Sequence, residues 1–236
     1  MQKSKELIVG IPLYNGCTLM DFAGATQVFA APPSGFKPIW LAAEASVSTT
    51  EGVNVLPNYH FDEHPPIDIL FVPGGGSTGV TPTMENDVFL NFLRKVNKHT
   101  THTGSVCTGA FILAAAGILH NCSATTYWSQ IPTLELLAKK MHLAIPPGFP
   151  RFLPDPQGKI FTGGGISSSV DLALDLVLKI KGKKTAELTQ LFIQYQPGPP
   201  VNSGDPSTAP PAVTAELLKE GKSFTEAMTK AVKKLL

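Results

Sequence analysis

Short runs of apolar residues alternate along the chain with longer segments in which apolar residues recur at helical spacing. The short runs predict buried strands. Residues 67–75, IDILFVPGG, are typical of a central parallel strand, because the run is almost continuously apolar and ends in glycines. The predicted strands are residues 6–14, 37–45, 67–75 and 103–107, followed by a hairpin over residues 151–165 that turns at Pro-Asp-Pro-Gln-Gly.

The segments between these runs predict helices, since their apolar residues fall three and four positions apart. The predicted helices are residues 18–31, 86–99, 108–119, 126–140, 168–182 and 184–196. In the second of them, one apolar face is expected to carry Val88, Leu90, Phe92, Leu93 and Val96.

This alternation favours an α/β fold with a mostly parallel sheet and helices on both faces. A length of 236 residues favours one domain over residues 1–236. Ligands of such sheets bind where the carboxyl ends of the strands meet. Residues 196–216 are rich in proline and predict either a plain linker or an ordered lid, ahead of a terminal helix over residues 215–236.

Composition gives no reason to expect nucleic-acid or membrane partners. The net charge is +1 and only 16% of residues are charged, without a basic stripe or an acidic tail. The first apolar run, residues 7–13, is interrupted by Gly10 and Pro12, and no run reaches the roughly 20 apolar residues of a membrane span. Three cysteines without CxxC spacing predict neither a disulfide framework nor a metal site. We therefore expect a soluble cytoplasmic protein.

Cys107 lies between the short strand 103–107 and the helix 108–119. Gly104 precedes it by three residues and Gly109 follows it by two, so the backbone can turn sharply and expose the thiol above the sheet, as in a nucleophile elbow. The adjacent helix N-terminus is expected to lower the pKa of the thiol. The alternative is an inert, buried cysteine, which is also the interpretation for Cys17 and Cys122.

A thiolate nucleophile requires hydrogen-bond donors for the charge that develops on its target. The glycines that follow the strand 67–75 lie at the same sheet edge, so the amides of Gly75 and Thr108 are expected to converge on one anion; an ordinary turn is the alternative. Asp21 follows the first strand within an apolar segment, where burial would raise its pKa and keep it protonated. Alternatively it is a helix N-cap or a first-turn aspartate that the helix dipole stabilises.

No histidine is placed to assist Cys107. His99 and His102 precede the strand 103–107 on its amino side, and the other four histidines fall in loops or at the ends of elements. Chemistry without an imidazole base is therefore predicted.

At these residues the chain resembles the ThiJ/PfpI superfamily, a branch of the class I glutamine amidotransferase-like folds. The similar segments span nearly the whole chain in the family's order: LYNGCTLMDFAGATQVFA, ILFVPGGGSTG, residues 103–128, GKIFTGGGISSSVDLALDLV and IQYQPGPPVNSGDPSTA. The last of them favours the isonitrile-hydrating branch of the superfamily.

The resemblance implies a flavodoxin-like α/β sandwich, a homodimer and no cofactor or metal. It implies that Cys107 is the nucleophile, that Asp21 is the acid beside it, and that Thr108 positions Asp21 or a water molecule. Gly75, Tyr127, Trp128 and Ile166 would bind the developing charge or the substrate. Tyr127 stands where many relatives carry histidine, and Thr108 where some superfamily hydrolases do, so the histidine-dependent activities of relatives are not implied.

These expectations favour a lyase that hydrates an isonitrile to an N-substituted formamide through a Cys107 thioimidate. Two alternatives remain open from the sequence. One is a glyoxalase-type aldehyde hydratase, which would also use Cys107. The other is a non-catalytic redox sensor or binding protein, in which Cys107 is oxidised.

Overall fold

The computed structural model describes residues 6–154 and 158–236. Within these ranges most strands join one sheet and two form a small hairpin. The strands are β1 (Leu7–Pro12), β2 (Phe36–Ala42), β3 (Val47–Ser48), β4 (Asn54–Val55), β5 (Tyr59–His60), β6 (Ile69–Val72), β7 (His102–Val106), β8 (Phe152–Pro154) and β9 (Ile160–Gly163). The helices in the same ranges are α1 (Leu19–Phe29), α2 (Ser77–Thr83), α3 (Asp87–Asn97), α4 (Gly109–Ala115), α5 (Ile131–Met141), α6 (Ser168–Lys181), α7 (Lys183–Phe192), α8 (Pro211–Glu220) and α9 (Lys222–Lys233).

The main sheet has the order β5-β2-β1-β6-β7-β9-β8. Every pair is parallel except β8 with β9 at one edge. The predicted mostly parallel α/β sheet is thereby confirmed. The chain passes from β1 to β2 on one side and returns to β6 on the other, so β1 and β6 flank the point where the strand order reverses. Ligand sites of such sheets lie outside the carboxyl ends of the strands at this point.

Helices pack around the sheet in two groups. In one, α1 packs on α6 and α6 on α7; in the other, α2 contacts α4 and α9, α3 contacts α4, and α5 contacts α9. The central strands are apolar because both faces are covered: Ile69, Leu70, Phe71 and Val72 are all fully buried. No helix in the described ranges has the length and apolar character needed to cross a membrane.

Several local predictions need correction. Val88 is 61% exposed, because the buried face of α3 is formed by Phe89, Leu90, Phe92, Leu93 and Val96. The helix α5 begins only at Ile131, after a 3₁₀ turn. The helix α2 was not predicted, since Gly76 and Pro82 obscure its pattern.

The C-terminal region also differs from its prediction. The Pro-rich stretch predicted over residues 196–216 ends at Pro210, because Pro211 occupies the first turn of α8, a position where a missing N–H costs nothing. The single terminal helix predicted over residues 215–236 is two helices that meet at Gly221. The predicted hairpin is present as the antiparallel pair β8–β9. Part of its predicted Pro-Asp-Pro-Gln-Gly turn, residues 155–157, lies outside the described residues.

Candidate active site

Three connections meet at the carboxyl edge of the sheet: those after β1, β6 and β7. They carry Asp21, Gly74 with Gly75, and Cys107, in that order. Because β6 lies between β1 and β7, the two glycines lie between Asp21 and Cys107. Residues more than 80 positions apart in the sequence therefore form one site.

Cys107 occupies the predicted sharp turn between β7 and α4. Its φ is +56°, in the left-handed region that costs a residue other than glycine about 1–3 kcal/mol. The backbone is held there from both sides: its amide donates to the carbonyls of Gly163 (3.1 Å) and Gly164 (2.7 Å), and its carbonyl accepts from the Thr126 hydroxyl at 2.8 Å. Such over-determined strain is typical of functional positions.

Glycines let other backbone segments approach this turn closely. A Cβ on Gly74 would lie 2.6 Å from the Thr108 amide nitrogen and 2.8 Å from the Cys107 Cβ. A Cβ on Gly109 would lie 2.6 Å from the Val72 carbonyl oxygen. Both distances are far below a van der Waals contact, so these positions accept no side chain without displacing the turn.

Asp21 lies in the first turn of α1 and is completely buried. One carboxyl oxygen, Oδ2, accepts from the Gly74 amide at 2.8 Å; the other, Oδ1, has no hydrogen-bond partner among the described residues. The N-cap of α1 is Thr18, and the Asp21 side chain does not cap the helix. Of the helix alternative, the first-turn position is confirmed and the N-cap role is wrong, because Thr18 is the N-cap and the Asp21 carboxyl accepts from the Gly74 amide.

Burial raises the pKa of Asp21 to about 8. The Gly74 amide opposes this effect, Glu51 adds to it through its negative charge, and the neighbouring Cys107 side chain opposes it. Asp21 therefore holds a proton at neutral pH, as the sequence predicted.

The thiol of Cys107 is 6% exposed, and burial raises its pKa well above the usual value. The negative charge of ionised Asp21 raises it further, whereas the Thr108 amide and hydroxyl and the Ile166 amide lower it. The expectation that the helix N-terminus leaves Cys107 with a lowered pKa is thus wrong, because desolvation outweighs these donors. Protonated Asp21 carries no charge and therefore does not repel a thiolate at Cys107.

The predicted convergence of the Gly75 and Thr108 amides on one anion also needs correction. The Gly75 amide donates to the Thr108 hydroxyl at 2.9 Å, and that hydroxyl donates to the Gly75 carbonyl at 2.9 Å. Thr108 thus fixes the glycine loop against the elbow. The amides that approach the sulfur belong to Thr108 and Ile166.

Aromatic residues form the wall of the adjoining pocket. The rings of Tyr127 and Trp128 have centroids 5.8 Å apart, and Trp128 meets Phe149 edge to face at 6.4 Å. Tyr127 covers Gly165, where a Cβ would lie 2.8 Å from its ring. Burial raises the pKa of Tyr127, and nearby Cys107 adds to that effect. Tyr127 and Trp128 both line the pocket, and their predicted contact with a substrate stays a prediction.

The pocket has a volume of about 900 Å³. Its inner part is lined by Met20, Thr126, Tyr127, Gly165 and Ile166. Cys107 itself is not a lining residue, but the Thr126 hydroxyl and the Ile166 amide contact it. Its outer part includes residues of the Pro-rich segment: Pro197, Gly198, Pro199, Val201, Asn202, Gly204, Asp205 and Pro206. This segment is a wall of the pocket and not a plain linker.

Histidine and metal ligands are not grouped at this site. None of the residues that line the pocket is a histidine. Over residues 6–154 and 158–236, no cluster of three or more His, Cys, Asp or Glu side chains is placed to hold a metal ion.

Three residues that support the Cys107–Asp21 pair were not identified from the sequence. The Gly74 amide binds Asp21, the Thr126 hydroxyl holds the Cys107 carbonyl, and Glu51 acts on Asp21 from the β3–β4 hairpin. The Gly-Gly-Gly run was a usable signal for the first. Nothing in the local sequence marks the other two, because they reach the site from distant segments.

Comparisons with known proteins find relatives of this chain. The model of the DJ-1/PfpI family matches residues 9–177. An isonitrile hydratase of Pseudomonas putida is 35% identical over 236 residues, covering 97% of this chain and 98% of its own. The HTH-type transcriptional regulator GbdR of Pseudomonas aeruginosa is 27% identical over 62% of this chain and 38% of its own. A THiJ/PfpI family protein from Pseudomonas syringae superposes with a TM-score of 0.87 at 27% identity, covering 96% of this chain and 90% of its own.

Proposed function

The chain belongs to the DJ-1/PfpI family, and we propose that it hydrates an isonitrile to an N-substituted formamide, with Cys107 as the nucleophile and Asp21 as the acid. The observation that carries this proposal is the buried pair itself: a cysteine held at positive φ beside a carboxyl group that is protonated at neutral pH. The similarity to an isonitrile hydratase over almost the full length of both chains supports the choice of substrate.

The pocket is suited to this substrate class. An isonitrile, R–N≡C, carries no net charge, and its terminal carbon is attacked by a thiolate and then needs a proton. The pocket offers an apolar aromatic wall of Tyr127, Trp128 and Phe149 for R. Asp21 does not line the pocket, but it lies beside Cys107 and would supply the proton for the carbon. A histidine base, absent from the pocket lining, is not required.

In the first step the Cys107 sulfur forms a bond to the terminal carbon. One of the two C–N π bonds remains, and the carbon takes a proton from the Asp21 carboxyl, giving the thioimidate R–N=CH–S–Cys107 and an Asp21 carboxylate. The raised pKa values leave both the Cys107 thiol and the Asp21 carboxyl protonated at rest at neutral pH, so the attacking form is the one in which the thiol has given its proton to solvent while Asp21 keeps its own. The Thr108 and Ile166 amides favour the thiolate form.

In the second step water adds across the remaining C=N bond. The Asp21 carboxylate takes one proton of the water as the oxygen joins the carbon, which leaves a hydroxyl group on that carbon. The proton of this hydroxyl group passes to the nitrogen as the carbonyl forms. Cleavage of the C–S bond then releases R–NH–CHO and returns Cys107 as a thiolate beside protonated Asp21. The covalent route divides one difficult addition into two easier ones.

The test is a substrate panel with the purified protein. An alkyl isonitrile should yield the formamide, whereas methylglyoxal should yield no lactate, and Cys107→Ser should abolish formamide production because an alcohol provides little anion at neutral pH. Lactate without formamide would replace the proposal by the aldehyde-hydratase alternative. Absence of both products, together with preferential peroxide oxidation of Cys107, would replace it by a redox sensor.

We further propose that the protein acts as a homodimer. Within one chain, α8 buries no residue and α7 buries only Thr189, while Leu191 and Phe192 are exposed. A ten-residue helix without a buried face is marginal in water, so a second copy would stabilise these helices. Light scattering after size exclusion should give twice the 25.1 kDa chain mass; a monomer would contradict this proposal.

A further inference from the structure

Glu51 reaches the candidate active site from the tip of the β3–β4 hairpin. Its Oε2 accepts a hydrogen bond from the amide of Leu19 at 2.9 Å, although the two residues are 32 positions apart. Leu19 is the first residue of α1, and Asp21 lies two residues further, in the same turn. Glu51 therefore places a carboxylate at the N-terminus of the helix that carries the proposed acid.

The first turn of α1 lacks a cap of its own. Its N-cap residue, Thr18, makes no side-chain hydrogen bond to the helix. Free amides at a helix N-terminus attract negative charge. Without another hydrogen-bond partner, these amides would favour the ionised form of a carboxyl group in the first turn. Glu51 occupies one of these amides with a charge that comes from outside the helix.

Main-chain contacts hold the hairpin in this place. The Gly16 amide donates to the Ser48 carbonyl at 2.7 Å, and the Thr50 amide donates to the Cys17 carbonyl at 3.0 Å. The Thr50 hydroxyl donates to the Gly16 carbonyl at 2.7 Å. The hairpin is thus fixed against the segment between β1 and α1, and in this position it holds the Glu51 carboxylate at the N-terminus of α1.

The other ionisable groups around Asp21 are uncharged at neutral pH. Tyr14, Cys17 and Cys107 all have raised pKa values, because each is buried. Among the described residues, the charge that acts on Asp21 is that of Glu51. Two negative charges at one helix terminus repel each other, so ionised Glu51 disfavours loss of the Asp21 proton.

We propose that Glu51 is a positioning residue that keeps the Asp21 carboxyl protonated. Its value for catalysis rests on the proposed function, in which Asp21 delivers a proton. Glu51 itself contacts neither Cys107 nor the pocket lining, so it acts only through Asp21.

Direct titration of Asp21 tests this proposal without any substrate. Infrared difference spectra of the wild type minus Asp21→Asn, recorded against pH, follow the carboxyl signal of Asp21. In a Glu51→Gln background the amide oxygen can still accept from Leu19, but the charge is gone, so the Asp21 midpoint should fall by roughly 0.3–1 pH unit. Glu135→Gln on α5 removes the same charge from an exposed site and should leave the midpoint unchanged.

Salt provides a second measurement on the unaltered protein. Glu51 is exposed, so its effect should be screened: in about 1 M salt the Debye length is about 3 Å, and the wild-type midpoint should approach that of Glu51→Gln. The pH at which activity falls on the alkaline side should be lower in Glu51→Gln than in the wild type, by the same amount as the Asp21 midpoint. Equal Asp21 midpoints in the wild type and Glu51→Gln, or an Asp21 already ionised at pH 5 in the wild type, would overturn the proposal. If the Asp21 midpoint falls as expected in Glu51→Gln but the wild type does not turn over an isonitrile, only the proposed function is contradicted.

Discussion

Two parts of the candidate site are built in different ways. The first, called here the inner wall, consists of the Cys107 elbow, the Gly74–Gly75 loop and Asp21; these residues lie beside the pocket but are not among those that line it, and they are buried and fixed by short contacts between backbone segments. The outer wall, residues 196–210, is exposed for most of its length, and a Cβ added at Gly198 or Gly204 would meet nothing within 4 Å. The comparison shows that the strained, buried residues are closely enclosed by neighbouring backbone, whereas the Pro-rich side of the pocket leaves open space around its glycines.

The anchors of the walls differ as well. The inner wall depends on buried hydrogen bonds between main-chain groups, Thr108 and Asp21. The outer wall starts at Tyr195, whose hydroxyl donates to Asp171 at 2.8 Å; Asp171 also pairs with Arg151. Because this second network is solvent-accessible, its contribution to the free energy of folding is expected to be small. Changes to the inner wall should therefore alter the rate of chemistry, and changes to the outer wall should alter substrate binding.

The largest effect is expected from Asp21→Asn, which leaves the inner wall without its proton. An amide cannot deliver the proton that the isonitrile carbon needs, so kcat should fall by about 10²–10⁴. Assays that quantify the released formamide at fixed times measure this fall in kcat. Asp87→Asn is the matched control, because Asp87 also lies in the first turn of an 11-residue helix but is exposed. Equal turnover in wild type and Asp21→Asn would return Asp21 to a structural role.

Gly74→Ala should be the next most damaging change. The new methyl group would overlap Thr108 and the Cys107 Cβ, forcing the elbow to shift; a misplacement of about 1 Å can cost roughly 10²-fold in rate. Overpacking should also lower the free energy of unfolding by about 1–3 kcal/mol. Gly198→Ala, in the open outer wall, should change neither the rate nor the denaturant midpoint. Similar behaviour of the two variants would remove the distinction between the walls.

The raised pKa of Asp21 predicts how the stability of the inner wall depends on pH. The folded protein keeps a proton up to about pH 8 that the unfolded chain loses near pH 3.8, so the stabilising contribution is full below pH 3.8 and is lost as the pH rises towards 8. Asp21→Asn lacks this loss. As the pH rises through this window, the free energy of unfolding of Asp21→Asn should therefore increase relative to that of the wild type by up to about 1.4 kcal/mol per pH unit. Urea titrations at a series of pH values measure this difference. A constant difference across pH 4–8 would contradict the assignment.

The smallest effect is expected at the outer wall. Tyr195→Phe removes the hydroxyl that binds Asp171 and so loosens the start of the Pro-rich segment. KM for a bulky isonitrile should rise severalfold, since an exposed hydrogen bond contributes about 1 kcal/mol, while kcat stays within about twofold. Tyr59→Phe on β5 provides the control. A large fall in kcat with unchanged KM would place Tyr195 in the chemistry and not in the wall.

The sequence predicted the inner wall better than the outer wall. The apolar run that ends in glycines locates β6, and the position of Cys107 between a short strand and a helix predicts its strained turn, because these are local patterns. The role of Asp21 was left between two alternatives, since its burial depends on Gly74, which is 53 residues away.

What the sequence could not supply is the balance of opposing long-range effects. Local reasoning predicted a lowered pKa for Cys107 from the adjacent helix, but the desolvation by the surrounding core is stronger. Gly75 was expected to bind an anion, yet its amide is taken by the Thr108 side chain. Glu51 carries no local signal, because only the fold brings the hairpin to α1.

The central claim is that Cys107 forms a covalent bond to the isonitrile carbon. Rapid acid quenching of the enzyme during turnover, followed by intact-protein and peptide mass spectrometry, tests it directly. We expect an adduct heavier than the free protein by the mass of one isonitrile, located on the peptide that contains Cys107 and absent from Cys107→Ser. Undiminished formamide production by Cys107→Ser, or an adduct on Cys17 or Cys122 in place of Cys107, would contradict the account.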